Sequence, residues 1–336
     1  MKILHGMTEV AGQSYYSVKG LKELGLNASS AVWRANVFGY PSEFCLNIGY
    51  NRLFYPWYFL KMFYFFLRAA FVYDCFHFHA ARSLLPGNMD LWFLKKLKKK
   101  LFFEFHGSEL RGMLYEYNYP YFKPDPTSNY KKYLLKKIAR YADGFILHDA
   151  ELIPHLPKCD VPIFIVPLRV DVSQFIPVYP RDNFSVPIIV HAPSKRSNKG
   201  TDTLLSALNK IEIPCELVLV ENKTQTEAFN LYKRADIVFD QISVGTYGVF
   251  AIEAMALGKP VLTYISEEMK DKLPFSLPIV NVTPNNLKET IEKLLGDYDL
   301  RCEIGKNSRK YVEEYHEYKK NSVLLKAIYE GEVAND

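Results

Sequence analysis

The sequence predicts an α/β protein made of two consecutive doubly wound units, each with a parallel sheet. Three observations lead there. Apolar runs of strand length alternate with helix-period segments almost from end to end. The alternation loosens once, over 171–187, where Pro177, Pro180 and Pro187 interrupt a mixed stretch. The 336 residues are also enough for two cores of ordinary size.

In the first unit, expected over 1–170, Lys2 to His5 reads as a strand running into a loop with Gly12 and Gln13. A helix follows from about Ser14 to Leu24, with Val18, Leu21 and Leu24 on one face and Gly25 as its stop. Ser30 to Val37 is the expected second strand. An aromatic helix over Leu53 to Phe71 precedes the strand Asp74 to His79, whose phenylalanines fall on one face and histidines on the other. Leu101 to Phe105 is the next strand and ends in His106-Gly107-Ser108-Glu109. A Tyr- and Pro-rich connection from Gly112 to Ser128 reads as an excursion or lid. Helix Tyr130 to Tyr141 and strands Gly144 to His148 and Ile163 to Val166 close the unit.

After the 171–187 linker, the second unit is expected over 188–316. Its strands are Ile188 to His191, Glu216 to Val220, Ile237 to Asp240 and Val261 to Tyr264. Its helices include Thr201 to Leu208 and Thr226 to Arg234, with closing helices near Asn286 to Leu295 and Leu300 to Tyr315. A last helix, Lys319 to Tyr329, lies in the segment 317–336. No internal repeat or low-complexity run is visible.

Composition bounds the partners. Apolar content of 49% with 24% charge is that of a soluble globular chain, and a net charge of +5 without a concentrated basic face argues against nucleic acid. Cys45, Cys75, Cys159, Cys215 and Cys302 are an odd, scattered set, which points to a reducing compartment and not to a zinc site. The N-terminus reaches Gly6 too soon for a signal-peptide apolar region, so the expected location is cytoplasmic. The aromatic stretch 53–71 is broken by Lys61 and Arg68 and is a poor transmembrane span. It reads first as a helix buried beside the sheet. The rival is a helix resting on an anionic membrane, helped by Lys95, Lys96, Lys98, Lys99 and Lys100.

The most informative segment runs from Gly245 to Val261. A glycine-bearing loop (Gly245, Thr246, Tyr247, Gly248, Val249) enters a short apolar helix that carries Glu253. A carboxylate there is costly unless it has hydrogen-bond donors. Vicinal sugar hydroxyls are suitable donors, and a loop at a helix N-terminus suits a pyrophosphate. The plain alternative is that Glu253 caps a neighbouring backbone or pairs with a cation. A basic loop, Lys195, Arg196 and Lys199, follows the strand ending at His191, where placed cations would offset charge on a leaving diphosphate. His77, His79 and Arg82 end a strand and are candidates to touch an acceptor. Two histidines two apart also suit a metal, but no third ligand is apparent in the sequence, so no metal is expected.

The Gly245 to Val261 segment resembles the donor-binding signature of retaining GT-B glycosyltransferases of family 4, in which Glu, seven residues and Glu flank a Gly-aromatic-Gly loop, with "EAMA-x-G-x-PV" from the second Glu. Glu253 matches the second Glu, and Tyr247 and Gly248 match the loop. The first Glu position holds Gly245. Four further segments are similar. Lys199 matches the family's phosphate-binding Lys, with Ser194 where the Arg is usual. His106-Gly107-Ser108-Glu109 matches a His-Gly-x-Asp motif, with Glu109 for the Asp. Gly12-Gln13 matches a glycine loop near the donor phosphates, and Val166 to Asp171 a segment before the linker. Asp240-Gln241 matches a subset of the family.

The resemblance implies the GT-B architecture, with two Rossmann-like domains facing a central cleft and the last helix crossing back to the first. It implies transfer, with retention, from a UDP- or GDP-linked sugar to a saccharide or lipid-linked hydroxyl acceptor, in synthesis of envelope polysaccharide, glycolipid or another glycoconjugate, without metal or other cofactor. His106, Lys199 and Arg196 would be catalytic. Gly12, Gln13, Lys195, Glu221, Gly245, Thr246, Tyr247, Gly248, Val249 and Glu253 would hold the donor. His79, Arg82, Ser108, Glu109 and Arg111 would meet the acceptor. The alternatives are a degenerate binding or scaffold subunit on this frame, and a sugar-nucleotide epimerase.

Overall fold

The computed structural model describes residues 1–36, 39–111, 128–182, 186–193, 195–270, 272–273 and 276–333. The Gly112 to Ser128 excursion and Ser194 therefore lie outside the described residues, except for Ser128 itself. The chain divides into two compact units. The described residues up to Arg169, together with those from Tyr318 onward, form one; Val170–Glu317 form the other.

The first unit carries strands β1 (Lys2–Met7), β2 (Asn27–Val32), β3 (Phe44–Cys45), β4 (Cys75–His79), β5 (Lys100–Glu104), β6 (Gly144–Leu147) and β7 (Ile163–Ile165). They form a parallel sheet in the order β3-β2-β1-β4-β5-β6-β7. The order reverses between β1 and β4, which is where such sheets open a crevice at their carboxyl ends. Helices α1 (Gln13–Glu23), α2 (Tyr55–Val72), α3 (Leu91–Lys96) and α4 (Ser128–Ala139) connect them. Phe76 and Phe78 of β4 enter one core with Phe103, Phe105 and Phe145, as the alternation predicts. The other face packs Ile3, Val18, Leu21, Phe102 and Ile146.

Two expectations are corrected here. The second strand is Asn27–Val32 and ends five residues before Val37, with β3 adding an unforeseen edge pair. Helix α2 is not buried beside the sheet. Only Met62, Phe65, Phe66, Ala69 and Ala70 are covered, while Trp57, Leu60, Tyr64 and Phe71 are exposed, the last two at 70%. A single row of the helix fills the core, and the outward aromatics pack at most on one another along the helix, as Phe59 does on Phe63.

The second unit carries α5 (Arg196–Lys199), α6 (Thr201–Leu208), α7 (Gln225–Arg234), α8 (Val249–Ala256), α9 (Glu267–Lys270), α10 (Leu287–Gly296) and α11 (Tyr298–Tyr315) around strands β8 (Ile188–His191), β9 (Glu216–Leu219), β10 (Ile237–Gln241), β11 (Val261–Thr263) and β12 (Val280–Asn281). The parallel order is β12-β11-β10-β8-β9, reversing between β8 and β10. The basic loop and the glycine loop follow those two strands, so the topology alone brings them to one crevice. Ile189, Leu204, Phe239, Leu262 and Ile291 form the core beneath. Helix α12 (Tyr318–Glu330) then packs Leu325, Ile328 and Tyr329 into the first unit. Among the described residues no helix is long and apolar enough to cross a membrane.

Candidate functional site

In the second unit the glycine loop is shaped by a side chain that the sequence reading did not place in the site. Gln241, at the end of β10 and buried, accepts from the N–H groups of Ser243 and Val244 (2.5 and 2.7 Å) and donates to the carbonyls of Thr246 and Tyr264 (2.6 and 3.1 Å). One amide thus fixes the loop from inside, a role its position after Asp240 hinted at only by resemblance. Gly245 sits at φ +79°, in the left-handed region, and a Cβ there would lie 3.1 Å from the Ser266 Cβ. A glutamate is therefore poorly suited to this position.

Tyr247 turns inward. Its hydroxyl meets Tyr311 and His316 Nε2, each at 3.1 Å, so the ring anchors the loop. Gly248 precedes α8 with open space where a side chain would be, and Val249 is half-buried beside it. Thr246 is buried within the loop.

Glu253, one turn into α8, neither caps a backbone nor pairs with a cation among the described residues. Burial alone pushes its carboxyl up to about 8. Its neighbour across the helix pair is Tyr232, whose hydroxyl it raises further. A half-buried, unpartnered carboxyl on an apolar helix is costly to the fold.

The basic loop supplies a half-buried cation. Lys199 donates to Asp240 Oδ1 at 2.6 Å, and the other oxygen of that carboxylate accepts from Gly248 N–H at 3.4 Å. Arg196 is instead committed to a bidentate pair with Glu221 (2.8 and 2.5 Å) on the outer surface. Two of the expected donor-side residues thus hold each other. Lys195 is exposed at the start of α5. His191 donates from Nδ1 to the Phe239 carbonyl and accepts at Nε2 from Thr201; burial draws it down to about 4, and it is a satisfied core residue.

In the first unit Gly12 starts α1 at φ +83°, where a Cβ would strike Tyr16 and Tyr40. Gln13 is fully buried and closes on Arg169, its amide donating to the Arg169 carbonyl (3.1 Å) and accepting from its N–H (2.8 Å). Its side chain is therefore a structural clamp. The same loop holds Glu9, missed from the sequence, which accepts from Tyr15 N–H at 2.9 Å and is raised by burial to about 7.

His106 stands at the end of β5, but both ring nitrogens are taken, Nε2 by His79 (3.1 Å) and Nδ1 by His148 (2.8 Å). This corrects the catalytic expectation, since no ring nitrogen is left for a proton transfer to substrate. His79 is corrected as well. It is fully buried between His5 (3.2 Å) and His106, so it cannot meet an acceptor. Beyond lie His77, on the Tyr329 hydroxyl, and Glu104, on Arg169, with all five imidazoles lowered by burial and Glu104 held well below the carboxylate range by Arg169 and the histidines against the opposing pull of burial. The sequence signal was present: polar residues at alternate positions in strands that are otherwise apolar.

Glu109 accepts from His106 N–H (2.6 Å) and from the Ser108 hydroxyl (3.2 Å), closing its own turn, while Arg111 pairs with Glu151 at 2.6–3.2 Å. Arg82 remains exposed over Trp33. A pocket of about 430 Å³ opens here, lined by Trp33, Arg82, Glu109, Tyr130 and Lys131. Ala80 and Ala81 form its wall with consecutive φ of +56° and +57°, a conformation costing on the order of 1 kcal/mol per non-glycine residue. Of the expected acceptor residues, Arg82 and Glu109 line this pocket.

Searches by sequence match no protein-family model and no curated protein. Solved structures do match in shape. The sucrose-phosphate synthase of Thermosynechococcus elongatus superposes with a TM-score of 0.71 at 17% identity, over 98% of this chain and 99% of its own. A glycosyltransferase from Rickettsia africae gives 0.68 at 18%, over 99% and 98%. Anabaena HepE, in complex with UDP and glucose, gives 0.72 at 14%, over 98% and 100%. The chain therefore has the GT-B fold that these glycosyltransferases share, along its whole length.

Proposed function

We propose that this protein is a retaining glycosyltransferase that moves a sugar from a UDP- or GDP-linked donor to a hydroxyl acceptor. The observation that carries the reading is Glu253: a carboxyl raised to about 8 and without a partner, on the helix that follows a glycine loop at the β8/β10 reversal. Ribose hydroxyls donating to it would supply the missing partners. Structures of HepE in complex with UDP and with UDP-glucose support a nucleotide-sugar as the ligand class.

In this reading the backbone of Gly245 to Val249 meets sugar and phosphate at the start of α8. Lys199, held by Asp240, places its charge where the diphosphate leaves. The reaction is metal-independent at the donor, and the leaving phosphate takes the proton of the acceptor hydroxyl. Arg82 and Glu109 in the first-unit pocket would orient a saccharide or lipid-linked acceptor.

The exposed face of α2 favours a lipid-linked acceptor at an anionic membrane surface. Trp57, Tyr64 and Phe71 stand out from a helix whose only charges are Lys61 and Arg68, and Phe93 of α3 packs on its Phe66, bringing Trp92 and Lys96 alongside. Aromatic and cationic side chains without an acidic residue suit an anionic bilayer interface.

Calorimetry of UDP and GDP binding tests the core of the reading. Glu253→Ala should weaken binding at least tenfold with an unchanged circular dichroism spectrum, and an unchanged affinity removes Glu253 from this role. Gly245, in a backbone conformation unsuited to the family's glutamate, favours a second reading as a non-catalytic subunit. Slow hydrolysis of one nucleotide-sugar in a panel would exclude that reading.

A further inference from the structure

Five of the six histidines of the first unit (His5, His77, His79, His106 and His148) and Tyr329 close a ring through Glu104. His77 Nε2 faces Glu104 Oε2 at 2.8 Å, and His77 Nδ1 meets the Tyr329 hydroxyl. That hydroxyl meets His5 Nε2 (3.2 Å), and the contacts continue through His5, His79, His106 and His148 back to Glu104 Oε1 at 3.5 Å. Each neutral imidazole and the hydroxyl brings one proton. A ring closed through a proton-free carboxylate is then one proton short, so at one contact two lone pairs face each other. The shortage falls at Glu104, on one or other side of which His77 Nε2, Glu104 Oε2 and His148 Nδ1 are buried and make no hydrogen bond of acceptable direction.

We infer that His79, Glu104 and His106 form a binding site for a zinc-class divalent metal ion. His79 Nδ1 lies 3.1 Å from His106 Nε2 and 3.8 Å from Glu104 Oε2, and one ligand atom from each of the three residues lies within 4.8 Å of the others. A tetrahedral ion with bonds of about 2.0 Å has ligand-to-ligand edges of about 3.3 Å, within this range. Imidazole with one carboxylate suits zinc better than magnesium or calcium.

The second atom of every ligand is already held, as metal ligands require. His79 Nε2 is on His5, His106 Nδ1 on His148 and Glu104 Oε1 on Arg169. Ligation through His79 Nδ1 and His106 Nε2 puts N–H on their outer nitrogens, which then donate to His5 and His148; His5 donates on to Tyr329 and Tyr329 to His77, so that His77 and His148 each donate to Glu104. The shortage in the ring disappears. An alternative set, His5, His77 and His79, is less suited because it lacks a carboxylate. The ion lies within the first unit and is independent of the donor chemistry proposed above.

Metal content of the full-length protein tests this without any activity assay. After dialysis against a chelator, the chain should take up one equivalent of zinc by calorimetry and elemental analysis, and cobalt in its place should give the intense visible bands of a tetrahedral site. Glu104→Gln and His79→Gln should each lose at least tenfold in zinc affinity, whereas His191→Gln, remote from the site, should lose none. If the buried variants fail to fold, the wild-type chain decides alone. A folded wild type that takes up no stoichiometric zinc overturns the inference, as does one whose nitrogen shifts reveal a His77 imidazolium paired with Glu104. Undiminished binding in folded Glu104→Gln and His79→Gln overturns it too.

Discussion

The Lys199 ammonium sits 2.6 Å from Asp240 Oδ1, and Asp240 is fully buried at the end of β10. A lysine at the mouth of a loop is ordinarily mobile, but this one is held in place by a carboxylate that also reaches the first N–H of the α8 cap. Lys199→Met leaves Asp240 buried and unpaired, so it should destabilise the protein by about 3 kcal/mol, measured by denaturant titration. Asp240→Asn should cost less, because it removes the charge as well as the pair. Both variants should bind UDP or GDP at least tenfold more weakly by calorimetry.

Glu253 predicts a proton linkage. Its folded value of about 8 lies above the ordinary carboxyl value of 4.5. Between those values the folded state binds more protons than the unfolded one, so stability is full below pH 4.5 and falls as pH rises towards 8. Glu253→Gln should flatten that slope and raise the stability of the ligand-free protein at pH 8 by about 2 kcal/mol, less than the full shift would give because the carboxyl reaches solvent.

Nucleotide binding should also release a proton at pH 7. Hydroxyls donating to Glu253 favour its charged form, so the carboxyl enters the complex ionised. Calorimetry in buffers of different ionisation enthalpy reads this directly. The apparent enthalpy should change with buffer by close to one proton in the wild type, and not at all in Glu253→Gln.

Gly245→Glu would restore the side chain usual in family 4. The backbone at φ +79° and the Ser266 Cβ 3.1 Å from the added atom oppose it. The substitution should lower stability by about 1–2 kcal/mol in thermal unfolding and should not tighten donor binding.

The α2 face makes a prediction at the membrane. Vesicles containing phosphatidylglycerol should pull the protein down in a flotation or sedimentation assay, and vesicles of phosphatidylcholine alone should not. Replacing Tyr64 and Phe71 with Ser should reduce the bound fraction several-fold without changing the melting temperature, since neither residue touches the core. Equal binding to both vesicle types would remove the charge argument.

Much of the fold was legible because parallel strands covered on both faces are short apolar runs between helices. Strand Ile188–His191 and helix Thr201–Leu208 fall where the pattern puts them. Strand β3 spans two residues and leaves no period to detect. Helix α2 was misjudged because periodicity reports that a face is apolar, not that anything covers it. At the site, residue types were visible and their partners were not. Nothing in the spacing joins Arg196 to Glu221, Arg111 to Glu151 or Gln13 to Arg169, because those contacts depend on how separate loops meet. His5 and Glu104, the missing company of His77 and His79, are neighbours only through strand order.

Because α12 belongs to the first unit, Val170–Glu317 is an insertion in that unit's chain. During synthesis the inserted unit has all its strands and helices before the first unit has its last element. The seven-stranded sheet must therefore wait, with the surface that receives Leu325, Ile328 and Tyr329 uncovered and the histidines without their phenol, until Tyr318–Glu330 has been made. A chain terminated before Tyr318 should accordingly yield a folded second unit joined to a first unit prone to aggregate, and adding α12 as a separate peptide should rescue it.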